Sequence, residues 1–313
     1  MVNSTHAADA VRVNRAGRCI AVLFPYLLLS LAVLSWAGNW VIGRAMRNEI
    51  GPVAMGFWRW TLALALILPL CWGELRAKWP AVRHHWWRLA LLGVLGAIGF
   101  NTMVYVGLQY AQTTNSALFN SVVPIYIVLI SWLAFGERIS YRQGIGIAVS
   151  VLGALTIVTR GNPLSLFEVS FNVGEIWIAV AMLLWAIYTI LLKWRPRELS
   201  AIAFLGAMLL LSLPALLPFY AWELFQRGTF DVSLATVATL AYYATVPSVI
   251  AYLMWNRGVA QVGPTRAGLI VHLLPIFTVV LAVIFLGEQL HAFHYIGAAC
   301  VFLGIGLTTL QPE

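Results

Sequence analysis

The sequence predicts an all-α integral membrane protein with ten transmembrane helices, arranged as two inverted five-helix repeats around a central cavity. Three observations predict this fold: the composition, an internal repeat and the distribution of basic residues. Hydrophobic residues make up 61% of the 313 residues and charged residues only 10%, and the mean hydropathy is +0.87. Soluble domains carry about 25% charged residues. A chain with so few charges is expected to fold with the lipid bilayer as its solvent.

The internal repeat relates residues 107–153 to residues 258–304 by one ungapped shift of 151 positions. A second shift, of 149 positions, relates the earlier parts of the two halves and places Trp36 on Trp185. Self-similarity of this kind indicates duplicated supersecondary units. We therefore predict a cytoplasmic N-terminal arm over 1–20, a first five-helix repeat over 21–160 and a second, inverted repeat over 171–310.

Each half contains five apolar segments of about the 20 residues that cross a hydrocarbon core. The run after Arg18 is longer than the hydrophobic region of a signal peptide and lacks a small-x-small cleavage site, so we interpret it as the first span. The spans predicted in the first half are Phe24–Ala45, Pro52–Trp72, Trp86–Tyr110, Asn115–Phe135 and Tyr141–Thr159. Those predicted in the second half are Gly174–Trp194, Ala201–Ala221, Leu234–Asn256, Arg266–Leu286 and His294–Leu310.

Basic residues predict the orientation. With the amino terminus inside, 14 of the 19 Lys and Arg residues fall in inner segments and four in outer ones, and Arg59 lies within the second span. This bias predicts a multi-pass protein of the cell (inner) membrane with both termini in the cytoplasm. Because five is an odd number, the second half must enter the membrane upside down relative to the first. Inverted repeats of this kind are typical of secondary transporters.

Three sequence features resemble the EamA family of the drug/metabolite transporter superfamily. The first span contains SWAGNWVIGRA over Ser35–Ala45, similar to the family's W-G-x-N-x-x-x-x-(K/R) opening. Arg59, in WRW, resembles its second-span arginine, and both halves end in a span, a Gly-Glu joint and a further span, with the joints at Gly136-Glu137 and Gly287-Glu288. The resemblance implies a transporter, and the aromatic-rich spans resemble YddG-type amino-acid exporters.

Repeat-equivalent positions that are polar or aromatic and lie inside spans predict the substrate site. The two shifts pair Trp36 and Asn39 with Trp185 and Tyr188, Asn101 with Tyr252, and Ser121 with His272; Tyr105 and Ser248 lie four residues from Asn101 and Tyr252, on the same helix faces. The predicted substrate-binding residues are Trp36, Asn39, Asn101, Tyr105, Ser121, Trp185, Tyr188, Ser248, Tyr252 and His272. The alternative is that these side chains join helix to helix or that the tryptophans form an interfacial belt.

A cavity with this lining predicts a definite ligand chemistry. Indole and phenol rings bind apolar side chains and attract an ammonium group, while Asn, Tyr and His offer hydrogen bonds to a carboxylate or amine. An amino acid suits such a site, and so does a planar drug cation. The expected function is export of amino acids and related small metabolites by alternating access. A multidrug or toxic organic cation exporter is the alternative, and a lipid-modifying membrane enzyme is a third.

Missing acidic residues and paired prolines predict the transport mode. Asp occurs only at positions 9 and 231, outside the spans, and Glu175 lies at the end of the sixth span. Since ion coupling usually needs a buried carboxylate, we expect transport that is not coupled to protons or sodium. Pro124 and Pro275 lie at matching points of the fourth and ninth spans and are predicted hinges. Arg59 is interpreted as a structural arginine that extends toward the outer face or bonds backbone carbonyls.

Several other functions lack their sequence signals. No GxxxxGK[ST] loop is present, so no ATP motor is expected in this chain. No carboxylate pair that could hold a metal is found within the spans, so no catalytic residue, metal site or cofactor is predicted. The net charge of +8 comes from loop residues beside the spans and does not indicate a nucleic-acid partner. The expected partners are a small-molecule substrate, amino acids, and membrane lipid, and the expected state is a monomer.

Overall fold

The structure, a computed structural model, describes residues 23–39, 42–43, 46–110, 119–137, 139–166, 172–286 and 289–309. Within these ranges the regular structure is entirely helical, as the sequence predicts. Eight of the helices are long and apolar enough to cross a membrane, and two further apolar helices are shorter. The total of ten transmembrane helices stays a prediction.

We number the apolar helices α1–α10 in chain order. The first five are α1 Leu23–Asn39, α2 Pro52–Ala77, α3 Trp86–Tyr110, α4 Val123–Phe135 and α5 Tyr141–Val158. The other five are α6 Val173–Trp194, α7 Ala201–Arg227, α8 Leu234–Val262, α9 Pro264–Phe285 and α10 Ala292–Thr309. A short helix, Trp79–His84, connects α2 to α3. The Gly287-Glu288 joint and the first residues of the predicted fourth span lie outside the described residues.

Helices α2 and α7 lie side by side in opposite directions, and each supplies a carboxylate to the first turn of the other. The Glu223 carboxylate, near the end of α7, accepts hydrogen bonds from the backbone N–H groups of Val53 (3.1 Å) and Ala54 (2.6 Å). The Glu74 carboxylate, near the end of α2, accepts from the backbone N–H (2.9 Å) and Oγ (2.5 Å) of Ser200. These contacts satisfy N–H groups that a helix start leaves free and place negative charge at its positive end.

The two carboxylates explain one difference from the predicted spans. Glu74 and Glu223 are 149 positions apart, so the shift found in the sequence relates them. The sequence places the end of the seventh span at Ala221, before Glu223, because polarity rises there. The structure continues α7 to Arg227, because Glu223 is buried against the start of α2 rather than exposed to solvent.

Helices α5 and α10 also run antiparallel, and glycines allow their backbones to touch. A Cβ added at Gly146 would lie 2.8 Å from the carbonyl oxygen of Gly304, and one at Gly153 would lie 2.6 Å from that of Gly297. The shift of 151 relates Gly146 to Gly297 and Gly153 to Gly304. Small residues at helix interfaces permit this close approach in membranes.

Replacing Gly153 with alanine is expected to lower the free energy of unfolding, because the new methyl group overlaps the α10 backbone. Overpacking of this kind costs about 1–3 kcal/mol. Thermal unfolding of the purified protein in detergent measures the change. Gly73→Ala is the matched control, since a Cβ there has nothing within 4 Å. Equal melting temperatures for Gly153→Ala and wild type would contradict the close packing.

Two kinds of irregularity interrupt the helices at positions that the shift of 151 relates to within one residue. π-Helical segments lie within α3, over Val94–Gly99, and within α8, over Ala244–Ile250. Turns at residues 121–122 and 271–272 precede Pro124 and Pro275. The sequence predicts prolines that remove a hydrogen bond within a continuous helix and bend it. Instead, both prolines lie in the first turn after a break, where a missing N–H removes no helical hydrogen bond.

Candidate functional site

Arg59 of α2 lies at the centre of the residues predicted to bind substrate. Its side chain is completely buried, with 0% exposure. Nη1 donates hydrogen bonds to Oδ1 of Asn101 (2.8 Å) and the hydroxyl of Tyr105 (2.7 Å), both on α3, and to Oδ1 of Asn39 (3.2 Å) on α1. One edge of the guanidinium group thus joins three helices of the amino-terminal half.

The other edge of the guanidinium group binds α8. Nε donates to Oγ of Ser248 (2.5 Å), and Nη2 donates to the backbone carbonyl of Pro247 (3.1 Å). The carbonyl of Pro247 also accepts a hydrogen bond from Nε1 of Trp36 (2.9 Å). The guanidinium group therefore bridges the two halves of the chain at a site buried within the bundle.

The partners recorded for Arg59 are all neutral. Within the described residues, the ion pairs are Lys78–Glu74 and Lys193–Glu137, and neither involves Arg59. The cation lies over the rings of Trp60 (5.0 Å) and Tyr243 (5.5 Å), whose electron-rich faces attract it. A charge buried without an opposite charge is costly and is usually functional.

The structure thus corrects the interpretation of Arg59 as a residue that extends toward the outer face. Its guanidinium group points into the bundle, and Pro247 is the one backbone carbonyl among its five recorded acceptors.

The π-helical segments supply the backbone carbonyls that hold this cluster together. Gly96 and Ala97, in the α3 segment, accept hydrogen bonds from the Tyr252 hydroxyl and from Nδ2 of Asn101 (2.9 Å), respectively. Pro247, in the α8 segment, serves Trp36 and Arg59 in the same way. A π turn disturbs the regular i→i−4 pattern and is frequent at functional sites. Here the two π turns direct backbone carbonyls from both halves toward the polar side chains of this cluster.

Aromatic rings form the other side of the cluster. The ring centroids of Trp36 and Trp185 are 4.9 Å apart at an interplanar angle of 85°, and Trp255 lies 5.2 Å from Trp36 and 5.4 Å from Trp185. Tyr252 lies 5.7 Å from Trp185, and Tyr188 lies 5.2 Å from it. These rings come from α1, α6 and α8 and provide an apolar surface with electron-rich faces.

A small cavity of about 30 Å³ lies beside residues of both the polar and the aromatic side. It is lined by Val33, Trp36, Asn39, Phe100, Asn101, Asn120, Trp185, Val271 and Leu274. Pockets that hold organic ligands typically measure about 300–1,000 Å³, so this space fits water molecules rather than an amino acid. A substrate could occupy this space only after the surrounding helices moved apart, and the central binding cavity stays a prediction.

Eight of the ten predicted substrate-binding residues lie in this one cluster. They are Trp36, Asn39, Asn101, Tyr105, Trp185, Tyr188, Ser248 and Tyr252, joined by the contacts given above. Four of them, Trp36, Asn39, Asn101 and Trp185, line the cavity itself. Their role in binding stays a prediction, but the structure brings together residues that are more than 200 positions apart in the sequence.

The remaining two predicted residues, Ser121 and His272, contact each other elsewhere. Nε2 of His272 lies 3.2 Å from the carbonyl oxygen of Ser121, and Nδ1 lies 2.6 Å from Oγ of Ser150. Because a carbonyl can only accept, Nε2 carries the proton, and Nδ1 accepts from the Ser150 hydroxyl. The neutral ring is thereby satisfied at a joint between α5 and the breaks that precede α4 and interrupt α9. The helix-joining alternative describes these two residues.

Two residues of the cluster, Arg59 and Asn120, are not among the predicted substrate-binding residues. Arg59 has Met208 as its repeat partner, and Asn120, which lines the cavity, has Val271. A comparison that selects positions polar or aromatic in both halves passes over each of them. The available signal for Arg59 was its being the one charged residue well inside a predicted span. The only sequence signal for Asn120 was its position next to Ser121, a predicted substrate-binding residue.

Apolar helices around a buried polar and aromatic cluster define a class, the multi-pass membrane transport proteins. The chain belongs to the EamA-like transporter family, whose sequence model matches residues 23–159 and again residues 172–310. The resemblance seen in the sequence to this family of the drug/metabolite transporter superfamily is confirmed.

Individual relatives match along almost the whole chain. An uncharacterized transporter of Archaeoglobus fulgidus is 29% identical over 92% of this chain and 98% of its own length. A probable terminal-alkyne amino-acid exporter of Streptantibioticus cattleyicolor is 24% identical over 89% of this chain and 91% of its own. A solved crystal structure, 17% identical, matches with a TM-score of 0.70 over 91% of this chain and 97% of that chain, which shows a shared fold.

Proposed function

We propose that this protein exports amino acids and related small metabolites across the cell (inner) membrane by alternating access. The observation that carries the proposal is the buried cluster around Arg59, which combines hydrogen-bonding groups with a wall of indole rings. Such a site suits a ligand with a polar head and an apolar side chain. The name of the Streptantibioticus relative, an amino-acid exporter, agrees with this ligand class.

We further propose that the two halves, over 21–160 and 171–310, are inverted five-helix repeats with both termini in the cytoplasm. The reciprocal contacts of α2 with α7 and of α5 with α10 support this arrangement, because equivalent helices that run antiparallel are what a two-fold axis in the membrane plane produces. The matching π segments and helix breaks support it as well.

Alternating access assigns a role to the two carboxylate contacts between α2 and α7. In the proposed orientation, Glu223 closes the outer end and Glu74 closes the inner end. Both contacts are made in this structure, and the cavity between them is small. We therefore interpret the structure as a state closed on both sides, and propose that each transport step breaks one contact while keeping the other.

The positive charge of the Arg59 cluster bears on which substrates the protein accepts and on whether transport is coupled to an ion. A buried guanidinium group repels organic cations, which disfavours the multidrug or toxic-cation alternative. The acceptors recorded for Arg59 are neutral groups rather than carboxylates, so the cluster lacks the usual group for carrying a coupling proton or sodium ion. The buried carboxylates among the described residues, Glu175 and Glu223, lie near helix ends outside this cluster. We therefore propose passive export down a concentration gradient.

Counterflow tests the proposed function. Proteoliposomes loaded with unlabelled amino acid are diluted into labelled amino acid, and transient accumulation of label above that of protein-free liposomes is expected without any imposed ion gradient. Absence of counterflow for all the common amino acids would overturn the proposal. Accumulation against a concentration difference that requires a pH or sodium gradient would overturn the passive mode alone.

Replacing Pro124 with alanine is expected to slow transport more than it weakens substrate binding. Proline favours the break at residues 121–122, because it has no N–H to donate to the carbonyl of Asn120 four residues earlier. Alanine restores this donor and allows the helix to continue. Turnover and binding are measured separately, by counterflow rate and by ligand-dependent thermal stabilisation. Unchanged turnover with unchanged binding would contradict the hinge role.

A further inference from the structure

We propose that Arg59 is a carboxylate-binding residue, which pairs with the carboxylate of a substrate whose apolar side chain packs against Trp36 and Trp185. Asn120, which also lines the cavity, donates a second hydrogen bond to the same carboxylate. This inference rests on the proposed transport function and narrows its substrates to carboxylates.

The electrostatics of the cluster provide the first argument. Arg59 is fully buried, and hydroxyl, amide and carbonyl oxygens are its recorded acceptors. Neutral dipoles offset part of the lost hydration of a cation, but an anion offsets far more. The fork of the guanidinium group also fits a carboxylate with two parallel hydrogen bonds, an arrangement that lysine cannot provide.

The position of the cavity provides the second argument. Asn39 and Asn101 line the cavity and also accept hydrogen bonds from Nη1 of Arg59. One layer of amide groups thus separates the guanidinium group from the space that must enlarge to admit a substrate. When the helices part, a carboxylate can replace these amide oxygens on Nη1 without exposing Arg59 to lipid.

An unpartnered donor provides the third and independent argument. Asn120 lines the same cavity and is only 6% exposed. Its Nδ2 makes no hydrogen bond within the part of the chain that the structure describes. A buried amide N–H₂ that lacks an acceptor is unfavourable unless a ligand supplies one. A carboxylate held between Arg59 and Asn120 supplies it.

The rest of the cavity lining fits the other parts of an amino acid. Trp36, Phe100 and Trp185 present apolar rings for a side chain. Indole faces attract an ammonium group, and the amide oxygens that the carboxylate displaces from Arg59 become free to accept its hydrogen bonds. Carboxylate recognition is the step that excludes amines and amides of the same shape.

Competition in the wild-type protein tests the proposal directly. Counterflow of labelled L-phenylalanine is inhibited with unlabelled L-phenylalanine, L-phenylalaninamide, 2-phenylethylamine and 3-phenylpropionate. Loss of a charge-assisted hydrogen-bonded pair is expected to weaken the amide and the amine by about tenfold or more, while 3-phenylpropionate still competes. Equal competition by phenylalanine and its amide would overturn the carboxylate site and leave the transport function standing.

If no amino acid shows counterflow, the proposed function fails, and the site is judged by binding. Thermal stabilisation of the purified protein by 3-phenylpropionate, with none by 2-phenylethylamine, would support a carboxylate site in a protein of another function. Equal stabilisation by both compounds, or by neither, would overturn it.

Two variants test which residues contact the substrate carboxylate. Arg59→Gln is expected to bring the affinities for phenylalanine and phenylalaninamide close to equality, and a preserved preference would overturn the role of Arg59. Asn120→Leu is expected to reduce the same preference, and it serves where Arg59→Gln yields no folded protein. Ser131→Ala is the control, because its buried hydroxyl also lacks a partner among the described residues but lies outside the cavity lining, so the preference should not change.

Discussion

Arg59→Lys is expected to lower the initial rate of counterflow about 100-fold while leaving folded protein in the membrane. The guanidinium fork reaches α1 and α3 through Nη1 and α8 through Nε and Nη2. An ammonium group is a single point that cannot hold both sets of acceptors. Losing two hydrogen bonds to a charged group, at about 1.5 kcal/mol each, corresponds to roughly this factor.

The control for this prediction is Arg83→Lys, which changes an exposed arginine in the same way and should leave the rate unchanged. Size-exclusion chromatography and thermal unfolding establish that both variants are folded. A wild-type counterflow rate in a folded Arg59→Lys protein would mean that transport does not depend on the shape of the guanidinium group. The cluster would then have a structural role only.

Glu223→Ala is expected to shift the protein toward a state open to the outside. The carboxylate holds two N–H groups at the start of α2, at 3.1 and 2.6 Å, and is only 8% exposed. Leaving both donors unpaired in the closed state costs about 1–3 kcal/mol, a factor of about 5 to 150 in the open population. Glu223→Gln, which keeps an oxygen acceptor but loses the charge, should fall between Ala and wild type.

Labelling of a single cysteine measures this shift. Val271→Cys, in a chain whose Cys19, Cys71 and Cys300 are replaced by serine, places a thiol in the cavity lining without removing a residue proposed to bind substrate. Glu223→Ala should speed its reaction with a membrane-impermeant maleimide added outside. Glu74→Ala should speed the reaction from the inside by a smaller factor. The Glu74 side chain is 25% exposed, so water already competes for its hydrogen bonds and their loss costs less. Faster labelling from the same side in both variants would contradict opposite gates.

Much of the site follows from the duplication of the sequence. Comparing the halves selects positions where each copy keeps a polar or aromatic side chain, and a two-fold arrangement brings such positions together. Trp36 with Trp185 and Asn101 with Tyr252 are cases in which repeat partners contact each other. Composition and span length predict the helices themselves, because the bilayer fixes the length of an apolar segment.

The rest of the site depends on asymmetry, which the repeat conceals. Arg59 and Asn120 have apolar partners, Met208 and Val271, so a comparison of the two halves does not select them. His272 is the opposite case, because the comparison of the halves selects it although it lies at a joint between helices. It satisfies every criterion of polarity and position, but Ser150 and the Ser121 carbonyl occupy both ring nitrogens at a helix joint. Only the three-dimensional packing distinguishes a polar group that faces a cavity from one that faces a neighbouring helix.

The most direct measurement of two halves enclosing one shared site is the reactivity of a Val271→Cys thiol in the cavity lining from each face of the membrane, with and without substrate. We predict labelling by an impermeant maleimide from the outside and, in inverted vesicles, from the inside, with L-phenylalanine slowing both reactions. Reactivity from one face alone, or reactivity that L-phenylalanine does not affect, would contradict a single cavity that opens alternately to the two sides.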